Sequence, residues 1–522
     1  MVQPTHPGYL RSRIAFLKTV LGSAPVGVWV AVVVAIHVVA IWFNGGFLNA
    51  DEHYQIVEFA QYKLGRQVAS GLAWEFPAQM RPALQPWLAF GLIQLASAVG
   101  VVSPYVIALV LRLASAGLAL WMVLELCVRF LRDIQVGWLK VVALGASCLF
   151  WISPMTHGRF SSENWGGALL AAGLCLVIDA SDQRVLGRAK SMALTIAAGV
   201  VWSAAFYCRF QIGFAVAGAG LWLLFVRRAP VSLLATLAFA FLAGCGLNVI
   251  LDHWLYGVWV LTPYNYFVAN LVNGKAATFG VSPWWMMTAY MAVVLIPPYS
   301  LAILALLAAG SWYARRNVLV WTILPFLFVH TVIAHKEPRF LTPVLFFLGP
   351  WFAVCVDALP ASLTSRITAW VHSGTGRAVM GVWLAVNVLL LSVASLLPAN
   401  DLYPIQHWLW TRASNGPIVL YTVEKSPYDL MPGEVVNSFY RSANVVQRRV
   451  SGAVGAASVD PVQTPAYFFY RGIEQPAAVR VAGDCLPVVQ TFPDWLVRSD
   501  LFRDVASVDQ ATICKVDELR RH

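Results

Sequence analysis

Residues 24–55 read APVGVWVAVVVAIHVVAIWFNGGFLNADEHYQ, an apolar run followed at once by a polar stretch that contains two adjacent acids. The apolar part, residues 24–44, has about the twenty residues that an α-helix needs to cross the hydrocarbon core of a bilayer. No clear small-residue cleavage site precedes the polar stretch, so we interpret the run as an uncleaved membrane helix. Residues 24–55 therefore predict a membrane protein with acidic side chains next to its first span.

The rest of the chain repeats this apolar pattern. The 522 residues are 59% hydrophobic and only 12% charged, which excludes a soluble globular protein. Ten more apolar stretches span, or nearly span, a bilayer: 104–128, 138–153, 165–180, 191–206, 211–226, 230–250, 285–310, 318–334, 341–357 and 378–397. A further stretch at 83–99 is interrupted by Pro86 and is predicted to lie at the membrane surface. Residues 1–398 are thus predicted to be an all-α polytopic membrane domain with about eleven spans, within a range of ten to thirteen.

The positive charge lies in the membrane region. Lys and Arg number 36 against 25 acids, for a net charge of +11, but residues 399–522 hold 12 basic and 13 acidic side chains. With eleven spans and a cytoplasmic N-terminus, fifteen basic residues fall on inside loops and eight on outside loops, in accord with the positive-inside rule. The excess is therefore explained by membrane topology, and no nucleic-acid partner is predicted.

The sequence after Pro398 changes in character. Turn sequences such as 415–417 and β-rich runs such as 418–421 and 466–470 predict a soluble α/β domain over residues 399–522. The topology puts this domain on the extracytoplasmic face. Its two cysteines, Cys485 and Cys514, could form a disulfide there, although the sequence alone leaves their connectivity open.

Polar side chains collect on the loops of that same predicted face. Ionisable groups at a membrane boundary cost several kcal/mol unless they pair, stay wet or face a cavity. Inside loops carry basic residues almost without acids, whereas outside loops mix both signs with aromatic residues. We interpret the mixed set as a substrate-binding cleft, and its charged candidates are Asp51, Glu52, Glu75, Arg81, Glu163, Arg209, Asp252, His335, Lys336, Glu337 and Arg339.

The acidic pair allows two interpretations. Residues 52–64 have helical periodicity, with Glu52 and Glu58 on one face, and Asp51 directly precedes them. Asp51 could therefore be the N-cap of this helix. Alternatively, it is a general base that removes a proton from an attacking hydroxyl.

The run His335-Lys336-Glu337-Pro338-Arg339 places three cationic or cation-capable side chains within five residues. Such a cluster suits a phosphate that leaves as its bond breaks, although anchoring to lipid headgroups is the alternative. The chain has no P-loop, no Rossmann glycine motif, no zinc-ligand spacing and no Asp-x-Asp pair. A lipid-linked phosphate donor therefore fits better than a soluble nucleotide.

These motifs resemble, in the same order, those of the family 22 glycosyltransferases, the lumenal mannosyltransferases of N-glycan and GPI-anchor assembly and their bacterial relatives. The resemblance covers residues 51–58, 74–81, 160–163, 252–263 and 335–340. It implies a GT-C-like fold and inverting transfer of mannose from a polyprenyl-phosphate donor to a glycan or glycolipid hydroxyl, without a cofactor or metal. The implied partners are this lipid-linked donor, the acceptor and membrane lipid.

The resemblance also implies roles for single residues. Asp51 matches the catalytic base and Glu52 its partner, while His335, Lys336, Arg339 and Arg81 match positions near the donor phosphate. Glu75, Glu163, Arg209, Asp252 and Glu337 are expected to line the substrate site.

Two departures leave the acceptor and the sugar open. Asn49-Ala50 replaces the family's His-Pro before the acidic pair, and Ala73 replaces a Thr before Trp74-Glu75. The alternatives are a GT-C transferase for arabinose, glucose or aminoarabinose, and a transporter of lipid-linked sugars. The Ala-, Val- and Trp-rich composition suggests a bacterial cytoplasmic membrane with a periplasmic site, or a lumenal site in the ER if the chain is eukaryotic.

Overall fold

The computed structural model describes residues 9–181, 187–422, 425–431, 435–450, 465–476, 485–493, 497 and 510–516. The chain forms two compact units. The first comprises Met1–Phe43, Ala78–Gln85 and Leu111–Leu396, and the second comprises Asn44–Pro77, Pro86–Val110 and Leu397–His522. The second unit thus combines the C-terminal region with the loop after the first apolar helix. The boundary at residue 399 between membrane and soluble sequence stays a prediction.

The described residues of the first unit form helices joined by loops. Its helices are α1 (Tyr9–Leu21), α2 (Val26–Phe43), α7 (Gly137–Leu149), α8 (Ser153–His157), α9 (Ser162–Ala180), α10 (Arg188–Cys208), α11 (Ile212–Leu221), α12 (Val231–Tyr256), α13 (Thr262–Phe267), α14 (Met286–Val294), α15 (Tyr299–Tyr313), α16 (Val318–Val332), α17 (Thr342–Asp357), α18 (Ala361–His372) and α19 (Gly374–Leu396). Two further helices, α5 (Leu84–Ala98) and α6 (Pro104–Leu131), contribute residues to both units.

Every predicted apolar stretch overlaps a helix or two consecutive helices. Within the described residues, six helices are long and apolar enough to cross a membrane, or seven if α14 and α15, bent by 119°, form one span. Three more apolar helical segments are shorter, and α5 has only fifteen residues. The predicted helical membrane region is therefore confirmed, whereas the number of eleven spans stays a prediction.

Small residues let the helices of the first unit pack closely. A Cβ on Gly173 of α9 would lie 2.3 Å from the indole of Trp202 of α10. The Trp202 indole N–H donates to the Leu170 carbonyl at 3.1 Å, so this large side chain is buried with its polar atom satisfied. These contacts fix α9 and α10, whose ends carry two of the predicted site residues.

A buried acid in α6 is neutralised by ion pairs. Glu125 accepts from Arg13 of α1 at 2.7 Å and from Arg129 at 2.5 Å, and Arg129 also pairs with Asp179 of α9 at 2.6 Å. Charges inside an apolar helix bundle are expensive unless they pair in this way. Glu125 therefore helps to hold three helices together.

The second unit contains the predicted α/β region. Its helices are α3 (Ala50–Tyr54), α4 (Val57–Lys63) and α20 (Tyr403–Ala413), and its strands are β1 (Ile418–Thr422), β2 (Asp429–Met431), β3 (Val435–Val436), β4 (Val445–Arg449), β5 (Ala466–Arg471), β6 (Cys485–Gln490) and β7 (Ala511–Val516). Five strands form a mixed sheet in the order β4-β1-β5-β7-β6, in which β1 is parallel to β4 and β5 and β7 is antiparallel to β5 and β6. The predicted runs 418–421 and 466–470 are β1 and β5.

Cys485 and Cys514 form a disulfide with a Cα–Cα distance of 5.3 Å. The bond joins the neighbouring antiparallel strands β6 and β7. The pairing that the sequence left open is thus present in the structure.

The loop after α2 differs from its prediction. A single helix over 52–64 was expected, but the chain forms the two short helices α3 and α4, which are separated at Gln55-Ile56. Asn49 is the N-cap of α3, so Asp51 lies inside the first turn and the capping interpretation is wrong. Before α3, the Gly45 carbonyl accepts from Ala399, and a Cβ on Gly45 would lie 2.1 Å from the Tyr403 ring.

Candidate active site

Glu163 and Arg209 form a buried ion pair in the first unit. Glu163 lies in the first turn of α9, whose N-cap Ser161 accepts from the Asn164 amide, and Arg209 directly follows α10. Arg209 Nη1 lies 2.7 Å from Glu163 Oε1, with both side chains at most 6% exposed. A carboxylate is favourable at a helix N-terminus, where the helix dipole is positive. Two predicted substrate residues thus contact each other.

The predicted cationic run continues this charge network. Arg339 contacts Glu337 through Nε at 2.6 Å and through Nη2 at 2.9 Å, and its Nη1 lies 3.8 Å from Glu163 Oε1. Glu337 Oε1 also lies 3.0 Å from His335 Nε2. The result is a row of alternating basic and acidic side chains in the order Arg209, Glu163, Arg339, Glu337 and His335.

Phe340 adds an aromatic surface to this row. The Arg209 guanidinium carbon lies 4.6 Å from the centre of the Phe340 ring, and that of Arg339 lies 5.8 Å from it. Both distances are within the range of cation–π attraction. Phe340 therefore adds a cation–π contact to each of the two guanidinium groups, which also share the Glu163 carboxylate as a partner.

Lys336 differs from the other cations of the run. Its side chain is 4% exposed, and its ammonium donates to the carbonyl oxygens of Ser282 and Ile333. Burial lowers the pKa of Lys336 below its ordinary value. Among the residues that the structure describes, no carboxylate lies within 4.0 Å of this ammonium. Its positive charge is therefore held by backbone dipoles and is not neutralised by an acid.

Arg81 and Asp252 lie in a second group. The Tyr256 hydroxyl bonds to both the carbonyl and the amide of Arg81, and the Arg81 guanidinium lies 5.7 Å from the centre of the Tyr266 ring. Asp252, which is fully buried, accepts from the Ala83 amide at 2.8 Å. Its other oxygen accepts from the Thr262 hydroxyl at 2.6 Å. Asp252 thus fixes the segment that carries Arg81.

The remaining predicted residues belong to the second unit. Asp51 is half-buried in the first turn of α3. Glu52 accepts a hydrogen bond from the Leu48 amide, which stabilises the start of that helix. Glu75 is buried and accepts from Gln55 at 2.8 Å. The acidic loop therefore has a defined fold, with Asp51 on a very short helix.

Two buried side chains were not predicted from the sequence. The sequence pattern places Glu58 on a helix face and within the first motif but indicates no role for it, yet it is fully buried and accepts from His53, Gln67 and the 438–439 segment. His330 is 1% exposed, and its Nδ1 faces the Phe326 carbonyl at 2.8 Å. Helical spacing gives no signal for the Glu58 contacts with Ser438 and Phe439, because these residues lie about 380 positions further along the chain.

The described residues contain no group of three or more His, Cys, Asp and Glu side chains arranged to hold a metal ion. The site chemistry that they do present is a buried set of cations with paired acids in the first unit and an acidic short helix in the second. The first set suits a bound anion, and the second offers a carboxylate to a hydroxyl.

Two mannosyltransferases are similar in sequence to parts of the chain. It is 25% identical to "GPI alpha-1,2-mannosyltransferase 3" of Danio rerio over 182 residues, 34% of this chain and 31% of that protein. It is 30% identical to "Probable Dol-P-Man:Man(7)GlcNAc(2)-PP-Dol alpha-1,6-mannosyltransferase" of Schizosaccharomyces pombe over 142 residues, 27% of this chain and 25% of that protein. The matches therefore span about a third or less of these two relatives.

A solved structure has a similar fold. The crystal structure of ArnT from Cupriavidus metallidurans bound to undecaprenyl phosphate aligns with a TM-score of 0.53 and covers 95% of this chain and 99% of that one. The sequences are only 14% identical, so this likeness concerns the fold, that of a GT-C membrane glycosyltransferase.

The model of the Alg9-like mannosyltransferase family matches residues 28–406, which contain all of the predicted site residues. This chain belongs to the Alg9-like mannosyltransferase family.

Proposed function

We propose that the protein is an inverting glycosyltransferase that moves mannose from a polyprenyl-phosphate donor to a hydroxyl of a glycan or glycolipid. Family membership supports mannose as the sugar, and the name of the Schizosaccharomyces pombe relative gives Dol-P-Man as its donor. The alternatives of another lipid-linked sugar and of transport receive no such support. The ArnT structure, with its bound undecaprenyl phosphate, gives the donor class a precedent in a protein of the same fold.

The observation that carries this proposal is that the Lys336 ammonium is buried and donates to two backbone carbonyls. A buried ammonium that no carboxylate neutralises, among the described residues, is a strong site for an anion. The neighbouring Arg339 is anchored through Glu337, which leaves the two cations in a fixed arrangement. Lys336, Arg339 and His335 are assigned to the phosphate of the donor, and Arg81 supports them.

The reaction is a single displacement at the anomeric carbon. The acceptor oxygen forms a bond to that carbon while the bond from the carbon to the phosphate oxygen breaks. The proton of the acceptor hydroxyl goes to Asp51, and the lipid phosphate leaves with the bonding electron pair. Bound cations favour this step because they stabilise the charge that grows on the leaving phosphate.

The other site residues have supporting roles in this proposal. Glu52 orders the helix that carries Asp51, and Gln55 is held by Glu75. Glu163, Arg209 and Glu337 keep Arg339 in place, and Asp252 fixes the segment of Arg81. These residues line or support the substrate site.

The proposed reaction takes place outside the cytoplasm. The excess of Lys and Arg on alternate loops supports this orientation. The site faces the periplasm in a bacterium, or the lumen of the ER in a eukaryote.

The test is transfer of radiolabelled mannose from polyprenyl-phosphate mannose to lipid acceptors in membranes that contain the protein. Asp51→Asn is expected to lower kcat by about 10²- to 10⁴-fold and to leave binding of the donor unchanged. Glu52→Gln, which keeps an oxygen for the Leu48 amide, is the matched control and is expected to cost less. EDTA is expected to have no effect.

The possible outcomes test separately the identity of the base, the identity of the donor sugar and the transferase activity. Retained activity in Asp51→Asn would move the base to another residue, with Glu52 as the next candidate. No mannose transfer by correctly inserted wild type, together with transfer of another sugar from a panel of lipid-linked donors, would assign a different donor. Failure with the whole panel would contradict the transferase proposal.

A further inference from the structure

Glu58 is a fully buried carboxylate with an unusually complete set of hydrogen bonds. Its Oε1 lies 2.9 Å from His53 Nε2 and accepts from the amides of Ser438 and Phe439 at 2.9 and 3.0 Å. Its Oε2 accepts from the Ser438 hydroxyl at 2.5 Å and from Gln67 at 3.2 Å. A carboxylate tolerates burial only when such donors replace water. Three of these five bonds come from two residues of the C-terminal region, in the same compact unit as Glu58.

His53 connects this carboxylate to the helix of Asp51. It lies two residues after Asp51 in α3, is 3% exposed and stacks on Tyr440 at 5.4 Å with the rings 11° from parallel. A helix of five residues has too few internal hydrogen bonds to be stable alone. The position of α3 therefore depends on the contacts that its side chains make.

The same C-terminal segment contacts the acidic loop at two more points. Gln67 donates to the Val436 carbonyl at 2.8 Å. Val435 packs in one apolar cluster with Tyr54 and Ala73. Residues 435–440 thus contact α3, Glu58 and the residues that follow α4.

We propose that residues 435–440 act as a clamp on the acidic loop, in which Glu58 and Ser438 are positioning residues that set the location of Asp51. The inference rests on the proposed function, since it assigns the clamp to the helix of the proposed base. It gives the C-terminal region a part in turnover itself. A displacement of about 1 Å at a reacting group can cost about a hundredfold in rate, so a modest shift of α3 is enough to be measured.

The experiment compares Ser438→Ala, Glu58→Gln and Glu58→Ala with Ser442→Ala as control. Ser442 is four residues further along, and within the described part of the chain its hydroxyl accepts from the nearby Asn444 amide, so its loss removes a comparable group without a contact to the loop. Two quantities are measured in the full-length protein in detergent: steady-state mannose transfer, and hydrogen exchange of amides in residues 48–56.

Ser438→Ala is expected to lower kcat roughly tenfold and Glu58→Ala about a hundredfold, with the KM for the donor unchanged. Glu58→Gln keeps an oxygen for the two backbone amides and is expected to stay within about tenfold of wild type. Amide exchange at 48–56 is expected to quicken in the order of the lost activity, and Ser442→Ala is expected to match wild type in both measurements. Because Ser438→Ala removes a single hydroxyl, this variant still tests the clamp if Glu58→Ala does not fold.

The clamp is refuted if Ser438→Ala and Glu58→Gln leave exchange at 48–56 unchanged, or if they raise the donor KM without lowering kcat. If wild type transfers no mannose, the proposed function fails, and the exchange measurement alone then decides whether the clamp holds α3. The two failures are therefore distinguishable.

Discussion

Arg209 and Glu163 approach to 2.7 Å in a part of the first unit where neither side chain is more than 6% exposed. Two buried charges at this distance depend on each other, because either one alone would be stranded in a medium of low dielectric. The pair also lies beside Arg339, so its integrity bears on the cations assigned to the donor phosphate.

Removing one partner of this pair is expected to be more harmful than removing both. Arg209→Met leaves the buried Glu163 carboxylate with only the more distant guanidinium of Arg339, at 3.8 Å, as an opposite charge within 4.0 Å among the described residues, and should cost up to about 3–5 kcal/mol of stability. The double variant Glu163→Gln/Arg209→Met should recover part of that loss, and thermal unfolding in detergent measures the difference. Arg471→Gln, which breaks the more exposed pair with Asp401, is the control and should cost less than about 1 kcal/mol. Strictly additive losses would contradict the coupling.

Binding of the donor is expected to weaken at alkaline pH because of Lys336. Burial lowers the pKa of this ammonium, so its charge is lost at a lower pH than the charge of an exposed lysine. The KM for the donor should therefore rise as the pH increases through that pKa and stay low below it. Loss of one charged hydrogen bond should weaken binding roughly ten- to hundredfold.

Lys336→Arg gives the control for this pH dependence. A guanidinium stays protonated throughout the alkaline range, so the donor KM of this variant should change little with pH. A wild-type KM that is independent of pH would show that Lys336 does not contact the phosphate.

Asp252 is expected to support the fold through its hydrogen bonds to Ala83 and Thr262 and not to contact substrate. In Asp252→Asn the amide oxygen can accept from Ala83 while the amide nitrogen donates to the Thr262 hydroxyl, so both partners stay satisfied. This variant should unfold within about 1 kcal/mol of wild type and keep its KM, whereas Asp252→Ala should lose about 1–3 kcal/mol for each partner left unpaired. A large rise in KM for Asp252→Asn would instead indicate direct contact with substrate.

Gly45 is expected to tolerate no side chain. A Cβ there would lie 2.1 Å from Cε1 of Tyr403, so Gly45→Ala forces the Tyr403 ring or the backbone to move and should cost about 1–3 kcal/mol in thermal unfolding. Gly27→Ala in α2 is the matched control, since a Cβ at Gly27 would meet no atom within 4 Å. Equal unfolding temperatures for the two variants would show that the close approach of Tyr403 does not restrict the residue type at position 45.

Much of the helical fold is predictable from hydropathy alone. Runs such as residues 24–44 must form helices in a bilayer because no other local structure satisfies their backbone groups there. Hydropathy does not determine how many of these helices cross, since α14 and α15 bend by 119° and α5 has only fifteen residues. The bend lies at residues 295–298, where Pro297-Pro298 interrupts the helix, and hydropathy alone gives no signal for it.

The site was partly predictable for a similar reason. Glu163, Arg209 and Arg339 were recognised as polar residues at predicted helix ends, but their mutual pairing depends on which helices are neighbours. Glu58 was missed as a site because its partners Ser438 and Phe439 lie about 380 residues away. Helical periodicity over 52–64 also fails at Gln55-Ile56, where the chain divides into α3 and α4, a break that the periodic pattern does not contain.

In the proposed extracytoplasmic orientation of the C-terminal region, the disulfide between Cys485 and Cys514 reports whether a chain has been exported. Thiol-reducing systems keep cysteines in the cytosol as thiols, so this bond can form only in chains whose C-terminal region has been delivered across the membrane. Acid quenching of cells, followed by denaturation and alkylation with a mass-tagged reagent, would label six cysteines in chains that hold the disulfide and all eight in chains that lack it. The membrane orientation of each expressed variant can thus be read from one gel before its activity is assayed.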